Sequence, residues 1–177
     1  MIILPAIISF SYALPIFNGK RVRDFPMIKI FLIAISWAWV TGLIPMMSSD
    51  VPISSVIPWF IAYCLYIFAN TIPFDIRDFE IDKRMNTKTI PIRYGILVSI
   101  KFAKIALWAV IISCLAMISQ DLFNANTLYA LILSSIVSLI LIPKTMPNNH
   151  PYFVNGLIEG LQMLPVVLYF LLGHLGF

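Results

Sequence analysis

The sequence predicts an all-α fold: one polytopic transmembrane helical bundle of about six spans, forming a single domain over residues 1–177. Three observations predict it. Of the 177 residues, 60% are hydrophobic and only 11% are charged, a balance that belongs to membrane proteins and excludes an ordinary soluble domain. Five apolar runs, roughly 27–47, 54–72, 101–119, 124–142 and 153–173, reach the length of about 20 residues that a bilayer crossing requires. None of them alternates like a strand. With no water in lipid to satisfy the backbone, such runs mean helices.

The first run, Met1–Phe17, is short. It has no basic start and no small-residue cleavage signature, so it is a poor signal peptide and reads as a membrane helix without its beginning. The second run carries Pro45 near its end and the third carries Pro58 near its start; membrane bundles tolerate both. In the third run Trp59, Tyr63, Tyr66 and Asn70 are spaced four, three and four apart, which places them on one helical face. Two readings stay open: an aromatic ridge packed on neighbouring helices, with Asn70 bonding across, or the wall of a cavity. Pro73 biases Ile72 away from helical angles and predicts an end or kink there.

Cys64 and Cys114 lie inside separate apolar runs and read as buried thiols rather than as a disulfide frame or metal cluster. His150 and His174 are too far apart in sequence to suggest a ligand pair. In the last run Asn155, Glu159, Gln162 and Tyr169 share a narrow sector. That sector either lines a cavity in the bundle or anchors the helix at the interface.

The net charge of +4 does not point to nucleic acid, because all twelve basic residues sit near the links between spans. They fall at 18–29, including Lys20 and Arg21, at 73–104 and at 143–152, whereas the alternate links hold only Asp50 and Asp121. The positive-inside rule makes the basic links cytoplasmic. Six crossings then leave both ends of the chain on the outer face. The expected location is a membrane such as the bacterial inner membrane, with the acidic stretch facing the cytoplasm.

That stretch, "NTIPFDIRDFEIDKR" from Asn70 to Arg84, spaces Asp75, Asp78 and Asp82 so that a helix would hold them within about 60 degrees of one another. Crowded carboxylates raise each other's pKa, so a cation is expected among them. Oxygen ligands without Cys or His suit a hard divalent ion such as Mg²⁺, which commonly takes one or two carboxylates and completes its shell with water and phosphate. The neighbouring Arg77, Lys83, Arg84, Lys88 and Arg93 would then neutralise a diphosphate. The alternative is a mixed-charge loop at the headgroups. A straight helix would hold the acidic face more than about 90 degrees from the Trp59–Asn70 face, whereas a break at Pro73 would bring the two together.

The segment "DIRDFEIDKRMNTKTIPIRYG", Asp75 to Gly95, resembles the second aspartate-rich motif of the UbiA superfamily of intramembrane prenyltransferases. The matching residues are Arg77 and Asp78, Asp82, the turn Lys83–Thr87, Lys88 and Thr89, Ile90 and Pro91, and Gly95; Asn86 stands where the family often has Gly. Asn is the next best residue for a left-handed backbone. More weakly, "SYALPIFNGKRVRDFPMIKI" resembles the family's fourth helix and the loop after it, and the other spans fit helices five to nine of a nine-helix bundle. The chain departs from the family in lacking a first acidic motif. It is expected to be a truncated product, a protein with a wrongly chosen start or half of a split protein, with a missing N-terminal half as partner.

The resemblance implies Mg²⁺-dependent transfer of a prenyl group from an allylic diphosphate to a lipophilic, often aromatic, acceptor, as in quinone biosynthesis. It implies catalytic roles for Asp78 and Asp82 as metal ligands with Asp75, and diphosphate binding by Arg77, Lys83, Arg84 and Lys88, with Lys20 and Arg21 across the mouth. The cavity would be lined by Trp59, Tyr63, Tyr66, Asn70, Asn155, Glu159 and Gln162. A CDP-alcohol phosphotransferase is disfavoured because its Asp-Gly-x-x-Ala-Arg signature is absent. The reading from another class is a non-catalytic membrane scaffold that keeps the fold without the chemistry.

Overall fold

The computed structural model describes residues 27–47, 51–150 and 152–174. The described residues are helical and contain no strand. The expected first span, 1–17, and Lys20 and Arg21 lie outside them.

Helix α1, Ile28–Ala38, runs through a π-helical turn at Trp39–Leu43 into Ile44–Met47. Helix α2 is Ile53–Arg77, α3 is Phe79–Arg84, α4 is Ile90–Tyr94 and α5 is Ile96–Ser119. Helix α6, Ala125–Leu141, ends in a 3₁₀ turn, Ile142–Lys144. A π-helical stretch, Phe153–Ile158, then precedes α7, Leu164–His174. Four stretches are long and apolar enough to cross a membrane: Ile28–Met47, Ile53–Arg77, Ile96–Ser119 and Ala125–Lys144.

Helix α2 is the centre of the bundle. It packs most extensively on α5 and then on α1, while α6 joins α5 to α7. Small side chains let the backbones approach, among them Ala62 and Ala69 on α2 and Ala103 and Ala106 on α5, all buried. Three buried hydroxyls are satisfied within their own helices. Thr71 donates to Ile67 O, Ser134 to Ala130 O and Ser135 to Leu131 O, so these three hydroxyls pass through the apolar interior with a partner.

Two prolines differ in their effect on the helices. Pro73 does not end the third span: α2 continues through it to Arg77. Dense packing on both sides holds the segment, where Thr71, Ile72, Pro73, Asp75 and Ile76 are all buried, and this outweighs one missing backbone bond. Pro165 falls beside a real break. The apolar run 153–173 is divided by a turn at 161–163. Proline has no N–H to offer the carbonyl four residues back, that of Leu161. The Leu164 N–H donates to this carbonyl at 3.2 Å and the Tyr66 hydroxyl donates to it as well, tying α2 to the break before α7.

Candidate functional site

The acidic stretch folds as two helical pieces hinged at Asp78. Asp75 lies near the end of α2, Asp78 sits at the joint with φ −85° and ψ 6°, and Asp82 lies on α3. The joint keeps helical spacing, since Asp78 N–H donates to Phe74 O at 3.0 Å and Asp82 N–H to Asp78 O at 2.8 Å. The three carboxylates therefore stay electrostatically coupled.

Their partners differ. Asp75 is only 5% exposed, and its Oδ1 lies 3.8 Å from Lys29 Nζ, which reaches across from the first turn of α1. Asp78 is held by its own neighbour: Arg77 Nε donates to Oδ1 at 2.7 Å and Nη2 to Oδ2 at 2.9 Å, a bidentate fork. Arg77 Nη1 also donates to Asn155 Oδ1, and Glu159 is close enough to interact with the same guanidinium. Asp82 shares the field of Lys29.

Asp82 is the unsettled member. Its Oδ2 and the Oγ1 of Thr89 are both buried and both lack a hydrogen-bond partner. Burial is the first cause that pushes the Asp82 carboxyl above its ordinary range. Lys29 opposes the rise, Asp78 adds to it, and the nearby Thr89 hydroxyl lowers it without reaching hydrogen-bonding geometry with Oδ2. The folded state thus holds this proton more tightly than the unfolded chain does. The stabilisation is present at low pH and is lost as pH rises from the unfolded value through the higher folded one. In metal-free buffer, the midpoint temperature should fall across the window just above the usual carboxylate range. Asp82→Asn should flatten that part of the curve, measured by thermal unfolding against pH for both proteins.

The loop that follows closes tightly. Thr87 N–H donates to Asp82 O at 2.9 Å and Asn86 adopts φ 53°, the left-handed conformation that Asn tolerates best after Gly. Met27 N–H donates to Lys88 O at 3.2 Å, fastening the loop to the start of α1. Gly95 ends α4 at φ 84° and ψ 158°, a region essentially reserved for glycine.

Among the described residues no three His, Cys, Asp or Glu side chains converge as ligands of one ion. The fork from Arg77 occupies both carboxylate oxygens of Asp78, and among the described residues the expected trio Asp75, Asp78 and Asp82 is not gathered into a cage. Lys83, Arg84 and Lys88 are exposed, and among the described residues none of them pairs with a carboxylate. The sequence reading missed Lys29 as the cation facing Asp75 and Asn155 as the partner of Arg77. The only available signal was that Lys29 is a charge inside the first turn of an apolar run, where a partner is needed.

The aromatic face divides in two. Phe123, Trp59, Tyr63 and Tyr66 form a continuous stack with centroid separations of 5.7, 4.9 and 6.2 Å. Trp59 and Tyr63 line a cavity of about 320 Å³ together with Thr41, Thr127 and Tyr169. Tyr66 and Asn70 are fully buried and do not line it; Asn70 donates to Tyr66 O and accepts from Ser138 Oγ, each at 2.9 Å. Asn155, Glu159 and Gln162 do not line it either, and the first two are exposed. The 16 residues from Trp59 to Asp75 amount to roughly 24 Å of helix, so a packed layer separates this cavity from the acidic residues. No family model matches the chain, and no curated protein or solved structure matches it; the resemblance of Asp75–Gly95 to the UbiA motif rests on those residues alone.

Proposed function

We propose that the acidic end of this bundle binds the diphosphate of an allylic isoprenoid with Mg²⁺ on the cytoplasmic side of a membrane, and that the chain serves prenyl transfer to a lipophilic, often aromatic, acceptor. The observation that carries this reading is the buried, unpartnered Oδ2 of Asp82 beside a second buried carboxylate, Asp75. These are hard oxygen donors, and Mg²⁺ bound through one or two carboxylates and substrate phosphate fits a site that lacks a three-residue cage. Asp82 and Asp75 would hold it, with Asp78 close by. When bound, it supplies the charge neutralisation that a departing diphosphate needs.

The chain's own residues do the rest. Lys83, Arg84 and Lys88, exposed beside Asp82, offer mobile cations to the outer phosphate oxygens. Arg77 positions Asp78 and ties the site to the Asn155 segment. The Trp59 and Tyr63 rings supply apolar, electron-rich walls for the lipophilic part. In this reading the Tyr66–Asn70 layer has to open for an isoprenoid to reach from one end to the other.

The scaffold reading is favoured by one observation: Asp75 and Asp78 already have cations, Lys29 and Arg77. The test is Mg²⁺-dependent binding of geranyl diphosphate to the purified chain, followed by prenyl transfer assayed with any partner chain present. Asp82→Asn and Asp78→Asn are expected to reduce binding at least tenfold. No binding by the native chain would favour the scaffold, and binding with turnover unchanged in both variants would remove these residues from the chemistry.

A further inference from the structure

A second feature lies against α1 on the side away from the acidic residues. Phe31 and Lys29, two residues apart, point to nearly opposite sides of the helix. Lys29 faces Asp75, and Phe31 lines a groove of about 380 Å³ bounded by α1, α2, α4 and α5, within the range of about 300–1,000 Å³ typical of small-molecule sites. Its walls are almost wholly apolar. Phe31 stacks on Phe68 at 5.2 Å, and Tyr94 meets Phe102 edge to face at 5.8 Å. Ala106 and Ala109 line it from α5 and leave room between these aromatic walls.

One end of the groove carries positive charge. The Arg93 guanidinium carbon lies 5.4 Å from the centre of the Tyr94 ring, and its Nη1 lies 3.7 Å from Met27 Sδ; Tyr94 and Met27 both line the groove. A ring face and a thioether are weak acceptors that do not neutralise a guanidinium. Lys101, next to Phe102, is exposed, and among the described residues neither Arg93 nor Lys101 pairs with a carboxylate. Long basic side chains near a membrane helix end reach toward the headgroup layer.

We propose that this groove is a binding site for an anionic phospholipid, with an acyl chain between the Phe31–Phe68 pair and Ala109 and the headgroup phosphate at Arg93 and Lys101. Charge complementarity selects this occupant. An apolar channel with Arg93 on its lining residue Tyr94 and Lys101 next to its lining residue Phe102, neither paired with a carboxylate among the described residues, matches an amphiphile with one phosphodiester charge, and basic pockets between membrane helices hold such headgroups. A zwitterionic lipid offers the same chain but repels the cations with its own amine. The site does not depend on the prenyl-transfer reading, since it uses neither Asp75 nor Asp82.

The test is native mass spectrometry of the full chain released from detergent with phosphatidylglycerol and phosphatidylcholine of identical acyl chains. Phosphatidylglycerol should be retained preferentially, and Arg93→Gln and Lys101→Gln should each cut that preference about fivefold, as expected for one basic residue at a lipid surface. Ala109→Trp, which fills the groove and leaves the charges intact, should abolish retention. Lys104→Gln removes an equal charge from a different face of α5 and should change nothing. Equal retention of both lipids overturns the proposal, as does an equal loss in Lys104→Gln, which would mean diffuse attraction. Displacement by millimolar inorganic phosphate would show that the chain site is not used, and loss of geranyl diphosphate binding in Ala109→Trp would assign the groove to that ligand; either result overturns the proposal. If Arg93→Gln fails to fold, Lys101→Gln and Ala109→Trp decide the question.

Discussion

Gly42→Ala is expected to destabilise the bundle by about 1–3 kcal/mol, the range for overpacking a filled interior, although alanine is the better helix former by about 1 kcal/mol. A Cβ at position 42 would lie 2.7 Å from Trp59 Cζ3 and 2.8 Å from Tyr63 Cδ1. Neither ring can yield easily. Both are held in the stack that runs from Phe123 to Tyr66, and Tyr66 is fixed at its far end by its bond to Leu161 O. The π-helical turn Trp39–Leu43 brings this part of α1 against α2, so relieving the clash means moving α1 or breaking the stack. The control is Gly160→Ala, where an added Cβ meets nothing within 4 Å. Thermal unfolding in micelles with tryptophan emission as the probe should separate the two. Equal midpoints would show that the stack is soft and the close approach carries no energy.

Lys29→Met is expected to cost about 2 kcal/mol, and the double variant Lys29→Met with Asp75→Leu should recover most of it. Removing one partner of a buried pair typically costs about 3–5 kcal/mol because the other charge is left unpaired. The Lys29 side chain is 41% exposed while that of Asp75 is 8% exposed, so water softens the loss and the lower figure applies. Replacing both removes the buried charge altogether, and an apolar pair of similar volume is often neutral or better. The same set bears on function. If Asp75 helps bind Mg²⁺, the double variant is stable yet fails to bind it, whereas a purely structural pair leaves any Mg²⁺ binding intact. A midpoint for Lys29→Met equal to that of the native chain would mean the 3.8 Å pair contributes nothing.

Much of the helical layout was legible in the residues because membrane helices are written in long apolar runs. The expected spans 27–47 and 124–142 differ by a residue or two from the helices at Ile28–Met47 and Ala125–Leu141. The left-handed turn at Asn86 falls where the resembled motif often has Gly, a backbone that Asn tolerates next best. Pro73 misled, because a local preference of a few kcal/mol yields where neighbours bury both sides of the helix. The run 153–173 misled in the opposite direction: its hydropathy is continuous, yet the chain turns at 161–163, where Tyr66 bonds the Leu161 carbonyl.

At the candidate site, the order of residues placed Asp75, Asp78 and Asp82 on nearby turns, because helical period converts spacing into direction. It also determined the chemistry available there, hard oxygens among cations. Which cation meets which carboxylate depends on how the helices pack. Lys29 is 46 residues from Asp75 and Asn155 is 78 residues from Arg77, and no period links such positions. The same holds for the aromatic face. Its alignment on one side of α2 was written in the spacing, but the division into a cavity at Trp59 and Tyr63 and a closed layer at Tyr66 and Asn70 came from what α6 and the Leu161 turn place opposite each ring. A chain's periodicity states which way a side chain points; only the packing of other segments states what it meets.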